Sequence, residues 1–148
     1  MTGTAPRGLE ERLRDTRAKL DGEVDLWVAT SGSPGGAHLV PLSFLWDGTA
    51  FLISTPRASV TGRNLLADGQ VRLSLGPTRD VVIVDGAAET VEVTPDVGDA
   101  FAAKTGFDPR ELDEPYQYFR ILPRRVQAWR EANELRGRDL MRAGRWLG

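Results

Sequence analysis

Residues 38–54 constrain the fold more than any other stretch. From His38 to Trp46 the chain alternates Val40, Leu42, Phe44 and Trp46 against Leu39, Pro41, Ser43 and Leu45, a period of two that belongs to a strand. Asp47-Gly48 is a tight-turn pair, and the apolar segment from Thr49 to Ser54 follows at once, so the two segments should close as an antiparallel hairpin. Val24 to Thr30 supplies a strand ahead of them, set off by the loop-forming SGSPGG, and the three together predict an antiparallel meander. Pro41 has no backbone donor, so it is expected at an edge, at a bulge, or where the backbone faces a ligand.

The remaining segments do not restore a strand-helix alternation. Residues 1–8 read as a frayed lead-in, and Leu9 to Leu20 as an amphipathic covering helix with Leu9, Leu13 and Leu20 on one stripe, closed by Asp21-Gly22. Gln70 to Leu75 alternates again, and Asp80 to Val93 reads as a strand pair or one bent strand around Asp85-Gly86. Thr94-Pro95-Asp96 begins a helix that ends before Gly106, because Thr caps well and Pro suits the first turn. Tyr116 to Leu122 and Arg125 to Trp129 are expected as two closing strands split by Pro123. Six or seven strands with about three helices, in this order, predict a mainly β fold, an antiparallel β-barrel with helical covers.

At 148 residues the chain suits one domain, residues 1–148, and is too short for two. A net charge of −2 gives no field for nucleic acid. The absence of cysteine removes disulfides, thiolate nucleophiles and Cys-bound metals, and a single histidine, His38, excludes a multi-histidine centre, so no metal is expected. No segment approaches the roughly 18 consecutive apolar residues that span a bilayer, so the expectation is a cytoplasmic protein with no membrane partner. A Ser/His/Asp triad would have to use His38, and no Gly-x-Ser-x-Gly turn, Walker loop or dinucleotide fingerprint is present.

What remains is a site built of strand edges, hydroxyls and arginines. After Thr55-Pro56 the chain runs through Arg57, Ser59, Thr61, Arg63 and Asn64 into Leu65-Leu66. A helix starting near Ser59 would gather hydroxyls, free N–H groups and two guanidiniums at its N-terminus, which suits a phosphate. The plainer alternative is a capped turn with Ser59 as N-cap and two solvated arginines. The tail, residues 131–148, carries Arg136, Arg138, Arg142 and Arg145, read first as a solvated helix face. Among the four tryptophans, Trp129 and Trp146 are the better candidates to touch a ligand, being close to those arginines.

Val40 to Asn64, followed by LLADGQVRLSL and VVIVDGAAETVEV, resembles the flavin-binding split β-barrel of the pyridoxamine 5'-phosphate oxidase-like superfamily. The shared order is an apolar strand, an Asp-Gly hairpin, a strand ending in Ser54-Thr55, a Ser-x-x-Gly loop entering a helix, and a strand ending Val84-Asp85-Gly86, over roughly residues 24–130. The resemblance implies a homodimer with the cofactor, FMN or coenzyme F420, at the interface. Its ring would lie over Val40, Pro41, Leu42 and Ser43, and its phosphate would approach Thr55, Ser59, Thr61 and Arg63, with Arg57 and Asn64 beside them. The tail would border the partner's cleft through Trp129, Arg136, Arg138 and Trp146.

The departures from the namesake oxidases are specific. Those enzymes carry Arg-Lys after the loop serine, where this chain has Val60-Thr61, a basic residue at Ser43, and an arginine at His38. Trp129 matches their strand tryptophan, but Leu135-Arg136-Gly137-Arg138-Asp139 lacks the histidine of their substrate clamp. The expectation is therefore an FMN- or F420-dependent oxidoreductase acting on a small unsaturated organic substrate rather than on vitamin B6. The alternative is a non-catalytic protein that binds or sequesters such a cofactor.

Overall fold

The computed structural model describes residues 5–32 and 35–148; residues 1–4 of the lead-in and 33–34 of the first loop lie outside them. Helix α1 (Leu9–Gly22) precedes β1 (Asp25–Gly32), β2 (Gly36–Ser43), the short β3 (Leu45–Trp46) and β4 (Phe51–Pro56). Helix α2 (Val60–Ala67) leads to β5 (Gln70–Leu75) and β6 (Val81–Val91), and α3 (Pro95–Thr105) leads to β7 (Tyr116–Trp129). A terminal hairpin of β8 (Asp139–Arg142) and β9 (Arg145–Trp146) follows.

All pairings are antiparallel, in the spatial order β2-β1-β5-β6-β7-β4-β3, with β8 and β9 hooked onto β7. The two ends of that order, β2 and β3, are separated in sequence by Phe44 alone. A sheet whose ends are one residue apart must curl round, and the result is the split β-barrel expected. Phe44 is fully buried at this corner and its N–H donates to the Val24 carbonyl at 2.9 Å. The expected meander holds only pairwise: β1 pairs with β2 and β3 with β4, but the middle strand bends at Phe44 and β4 takes β7 as its other neighbour. Inside the barrel, Val28, Ile53, Leu73, Val84, Phe119 and Ile121 are fully buried, so every long strand except edge strand β2 contributes a fully buried residue to one core, and β2 packs partly buried Val40 and Leu42 against it.

Local signals act as the sequence suggests at several turns. The Asp47 carboxylate accepts from the N–H groups of Thr49 and Ala50, each at 2.8 Å. The Thr94 hydroxyl caps α3 by accepting from Val97 N, and Gly106 closes it at φ +73°, where a side chain would be strained.

Of the two readings of Asp80 to Val93, the structure has the single bent strand, β6. Three other expectations need correction. The two closing strands are one continuous β7. Pro123, which cannot donate to the ladder, stands opposite Gly86 where the register shifts and leaves Arg124 as the extra residue of a bulge. A Cβ on Gly86 would lie 2.8 Å from the Leu122 carbonyl, so glycine permits the close approach. The lead-in is pinned rather than frayed at Arg7, which is buried against Glu134. The tail is a 3-10 turn (Ala132–Glu134) and a hairpin, not a helix. Buried Arg12 holds it to α1 by donating to the carbonyls of Ala128, Glu134, Gly137 and Arg136. Along α1, Leu13 and Leu20 are buried while Leu9 at the end of the stripe is 36% exposed. Among the described residues no helix is long and apolar enough to cross a membrane.

Candidate functional site

β4 ends at Pro56, and the turn that follows is tightly fastened. The Ser59 hydroxyl donates to the Pro56 carbonyl at 2.7 Å and accepts from Gly62 N at 3.0 Å, while Thr55 Oγ1 lies 3.2 Å from the same oxygen. Ser59 is thus the N-cap of α2, and its geometry leaves the N–H groups of Val60 and Thr61 with no carbonyl one turn back. Gly62 is required here, since a Cβ would sit 2.3 Å from the Pro56 carbonyl oxygen. Arg57 is exposed and donates from Nη1 to Gln117 Oε1, and Arg63 is exposed with no ion pair among the described residues. Thr61 and Asn64 face inwards. The Asn64 amide donates to Thr30 Oγ1 at 3.1 Å, which fastens α2 to β1.

Val40 and Leu42 pack against the core, whereas Pro41 and Ser43 point outwards. β2 pairs only with β1, so Pro41 lies on an edge strand, as its missing donor demands. Beside it is a cleft of about 370 Å³ between the Pro41–Ser43 strand and an aromatic wall of Phe101, Phe107 and Tyr116. Ser54 and Pro56 of β4 line it too, as does Asp25, whose Oδ1 accepts from the Ser43 hydroxyl at 2.6 Å. Pro56 therefore joins two halves: its ring borders the cleft and its carbonyl anchors the start of α2.

The residues from Trp129 onwards lie elsewhere. The Arg138 guanidinium sits 5.8 Å from the Trp129 ring centroid, and Arg17 covers Trp146 at 5.6 Å. Arg136 is exposed, and its carbonyl is held by Arg12. Tyr116 in the cleft and Trp129 are the two ends of β7, so within one chain the cleft and the tail do not meet. His38 stands opposite Thr30 in the β1–β2 pair and does not line the cleft.

Residues 15–130 match the family model of pyridoxamine 5'-phosphate oxidase. The chain belongs to this family. No curated protein sequence gives a match. Solved structures similar to this family member include an F420 reductase, at 21% identity and TM-score 0.57, covering 74% of this chain and 94% of that one. An FAD-binding protein from Mesorhizobium loti matches at 20% identity and TM-score 0.58, over 77% and 88% of the two chains. HutZ, the haem-storage protein of Vibrio cholerae, matches at 15% identity and TM-score 0.62, over 94% and 100%. At these identities the likeness is one of fold.

Within the family frame, sequence reasoning missed the wall and floor of the cleft. Phe101 and Phe107 come from α3 and the loop after it, far in sequence from Pro41, and nothing local marks them as site residues. Ser54 carried a fainter signal, a hydroxyl directly after the buried apolar run Phe51 to Ile53. Its oxygen is buried without a hydrogen-bond partner, as is that of Tyr118, whose phenol burial pushes above its ordinary value.

Proposed function

We propose that this chain is a flavin- or deazaflavin-dependent oxidoreductase, working as a homodimer with FMN or coenzyme F420 and a small unsaturated organic substrate. The observation that carries the reading is the junction at Pro56, where a cleft with an unpaired buried hydroxyl adjoins a helix start with two exposed guanidiniums. A planar group with an anionic tail fits that donor set. In this reading Arg57 and Arg63 hold the phosphate through their guanidiniums and Thr61 through its free backbone N–H, with Ser59, Thr55 and Asn64 supporting the turn. The backbone of Val40, Pro41, Leu42 and Ser43 supports the ring. Bound there, the cofactor would supply the hydride or electrons, while the protein orients and shields the reactants.

Vitamin B6 phosphate oxidation is disfavoured by the same residues. Ser43 replaces a basic residue and its hydroxyl is bonded to Asp25, which puts a carboxylate where an anionic substrate would need a cation. Trp129, Arg136, Arg138 and Trp146 lie remote from their own cleft, which suits a tail that borders the cleft of a partner subunit.

A visible-absorbance titration with FMN and with F420 tests the proposal, and no binding of either at micromolar concentrations would remove it. The second reading, a protein that binds or stores the cofactor without turnover, is favoured by Val60-Thr61 in place of the oxidases' basic pair. The structural likeness to a haem-storage protein also supports it. Oxidation of the reduced cofactor by any member of an enone and quinone panel would count against that second reading.

A further inference from the structure

Arg12 is a buried cation, 3% exposed, that forms no ion pair among the described residues. Its guanidinium donates to five backbone carbonyls instead: Arg7 at 3.2 Å from Nε, Ala128 at 3.0 Å, Glu134 at 2.9 Å and Gly137 at 3.1 Å from Nη1, and Arg136 at 3.2 Å from Nη2. Four of these five carbonyls belong to the turn from Ala128 to Gly137. Glu134 holds the same turn with the opposite polarity, its buried carboxylate accepting from the Arg130 N–H at 2.9 Å. One buried cation therefore gathers the carbonyls of the turn, and one buried anion takes an N–H.

Taking a cation out of water is costly, and an apolar side chain would serve packing as well. What a planar guanidinium adds is direction, because its donors leave in a fixed fork and each carbonyl must come to them. An irregular turn of this kind is ordinarily mobile, and here its backbone is fastened from inside. The side chains it carries are cationic. Arg136 is exposed with no ion pair among the described residues, and the Arg138 guanidinium lies 5.8 Å from the Trp129 ring centroid. Gly137, between them, has φ +74° and open space where a Cβ would lie, so glycine serves the path of the backbone rather than a close neighbour. That path turns the Gly137 carbonyl in to Arg12 and leaves Arg136 outside. Cations fixed before an anion arrives bind it better than cations that must first be ordered.

We infer that Arg12 is a positioning residue for cofactor binding: through the carbonyls of the turn it holds Arg136 and Arg138 where they reach the anionic cofactor of the partner subunit. The inference rests on the proposed function for the cofactor and the dimer. The construction of the turn is this chain's own geometry. Arg12 touches no ligand and acts through the backbone it gathers.

Two variants of the full chain test this by absorbance titration with FMN and with F420. Arg12→Lys keeps the charge and loses the fork, whereas Gly137→Ala keeps Arg12 and strains the turn at positive φ. Each should bind the cofactor about tenfold more weakly than wild type and remain dimeric by sedimentation. Removing Arg136 and Arg138 by Arg136→Ala and Arg138→Ala should weaken wild type similarly, and should add little to Arg12→Lys, since residues acting as one unit are not additive.

A mixed dimer separates positioning from a general loosening of the chain. One subunit carries Arg12→Lys and the other Arg63→Ala, co-expressed with two affinity tags so that the mixed species is isolated. One of its sites then combines an intact Arg63 with an intact turn from the other subunit, and should bind with wild-type affinity although both parent homodimers bind weakly. Loosening of the Arg12→Lys chain would spoil that subunit's own cofactor residues, and no wild-type site would appear. Where Arg12→Lys does not fold, Gly137→Ala takes its place. A wild-type protein that is monomeric, or that binds neither cofactor, removes the proposed function and this inference with it. A wild-type dimer that binds cofactor, with unchanged affinity in both variants or no wild-type site in the mixed dimer, removes this inference alone.

Discussion

Arg7 and Glu134 form a two-point ion pair in the interior, Nε to Oε2 at 2.9 Å and Nη2 to Oε1 at 2.7 Å. The Arg7 backbone N–H adds a third bond to Oε2 at 2.9 Å. Both side chains are almost fully buried, and the pair fastens the segment before α1 to the turn after β7. Neutralising Glu134 removes the buried partner of Arg7 and leaves it only the partly exposed Asp15, 3.0 Å from Nη1, and Asp80 at 4.0 Å. Glu134→Gln should therefore lose about 3 kcal/mol of unfolding free energy, measured by urea denaturation near neutral pH. A loss below about 0.5 kcal/mol would mean that the pair is no more than a surface contact.

The same contact sets an acid limit. Hydrogen bonds from Arg7 hold the Glu134 carboxyl down to about 2, from an ordinary value of 4.5, and those from Arg142 hold Asp139 down to about 2, from 3.8. A carboxyl depressed in the folded state binds fewer protons there than in the unfolded chain. Its stabilisation is complete above about pH 4.5 and is lost as pH falls through about 2. The urea midpoint should thus fall steadily between those limits, and Glu134→Gln should flatten the slope. An unchanged slope in the variant would refute the assignment.

Gly62 is the tightest point of the α2 turn. Gly62→Ala places a Cβ against the Pro56 carbonyl and should cost about 1–3 kcal/mol, with weaker cofactor binding as the helix start shifts. Exposed Leu66→Ala, on the same helix, should stay within about 0.5 kcal/mol. The pair of thermal melts separates a steric requirement at residue 62 from general intolerance of α2.

Ser59 and Arg63 should separate cap from ligand contact. Ser59→Ala removes the bond to Gly62 N and should cost about 1 kcal/mol of stability. Arg63→Ala should leave stability unchanged but weaken FMN or F420 binding by about 1.5–3 kcal/mol, the worth of a charge-assisted bond to phosphate. Unchanged cofactor affinity would reduce the turn to a capped helix start.

Trp27 and Leu39 lie on the outer face of β1 and β2, 49% and 60% exposed. If the homodimer buries this face, Leu39→Glu should shift the protein towards monomer by sedimentation at micromolar concentration. A wild-type protein that is monomeric there would count against the dimeric reading.

Much of the barrel was legible because its signals are short-range. The alternation from Val40 to Trp46, the Asp47-Gly48 turn and the Thr94-Pro95 cap each depend on residues within one turn or one strand. Pro123 misled because its missing donor usually ends a strand. Here a bulge opposite Gly86 absorbs it, and only a partner from another strand could reveal that. Arg7 and Arg12 misled in the same way: their charges predict solvent, and the carboxylate and carbonyls that bury them come from the other end of the chain.

The stretch from Thr55 to Asn64 shows the division most clearly. By itself the sequence determined that a helix begins after Ser59, that its N-terminus carries free N–H groups, and that two arginines stand nearby. Those are properties of adjacent residues. Tertiary structure alone decided that Asn64 turns inwards to Thr30 and that Ser54 is left without a partner. It also set Phe101, Phe107 and Tyr116 against Pro41 across a cleft. These relations arise where a curled sheet brings distant strands and a covering helix together, and no local pattern encodes which of their side chains will meet.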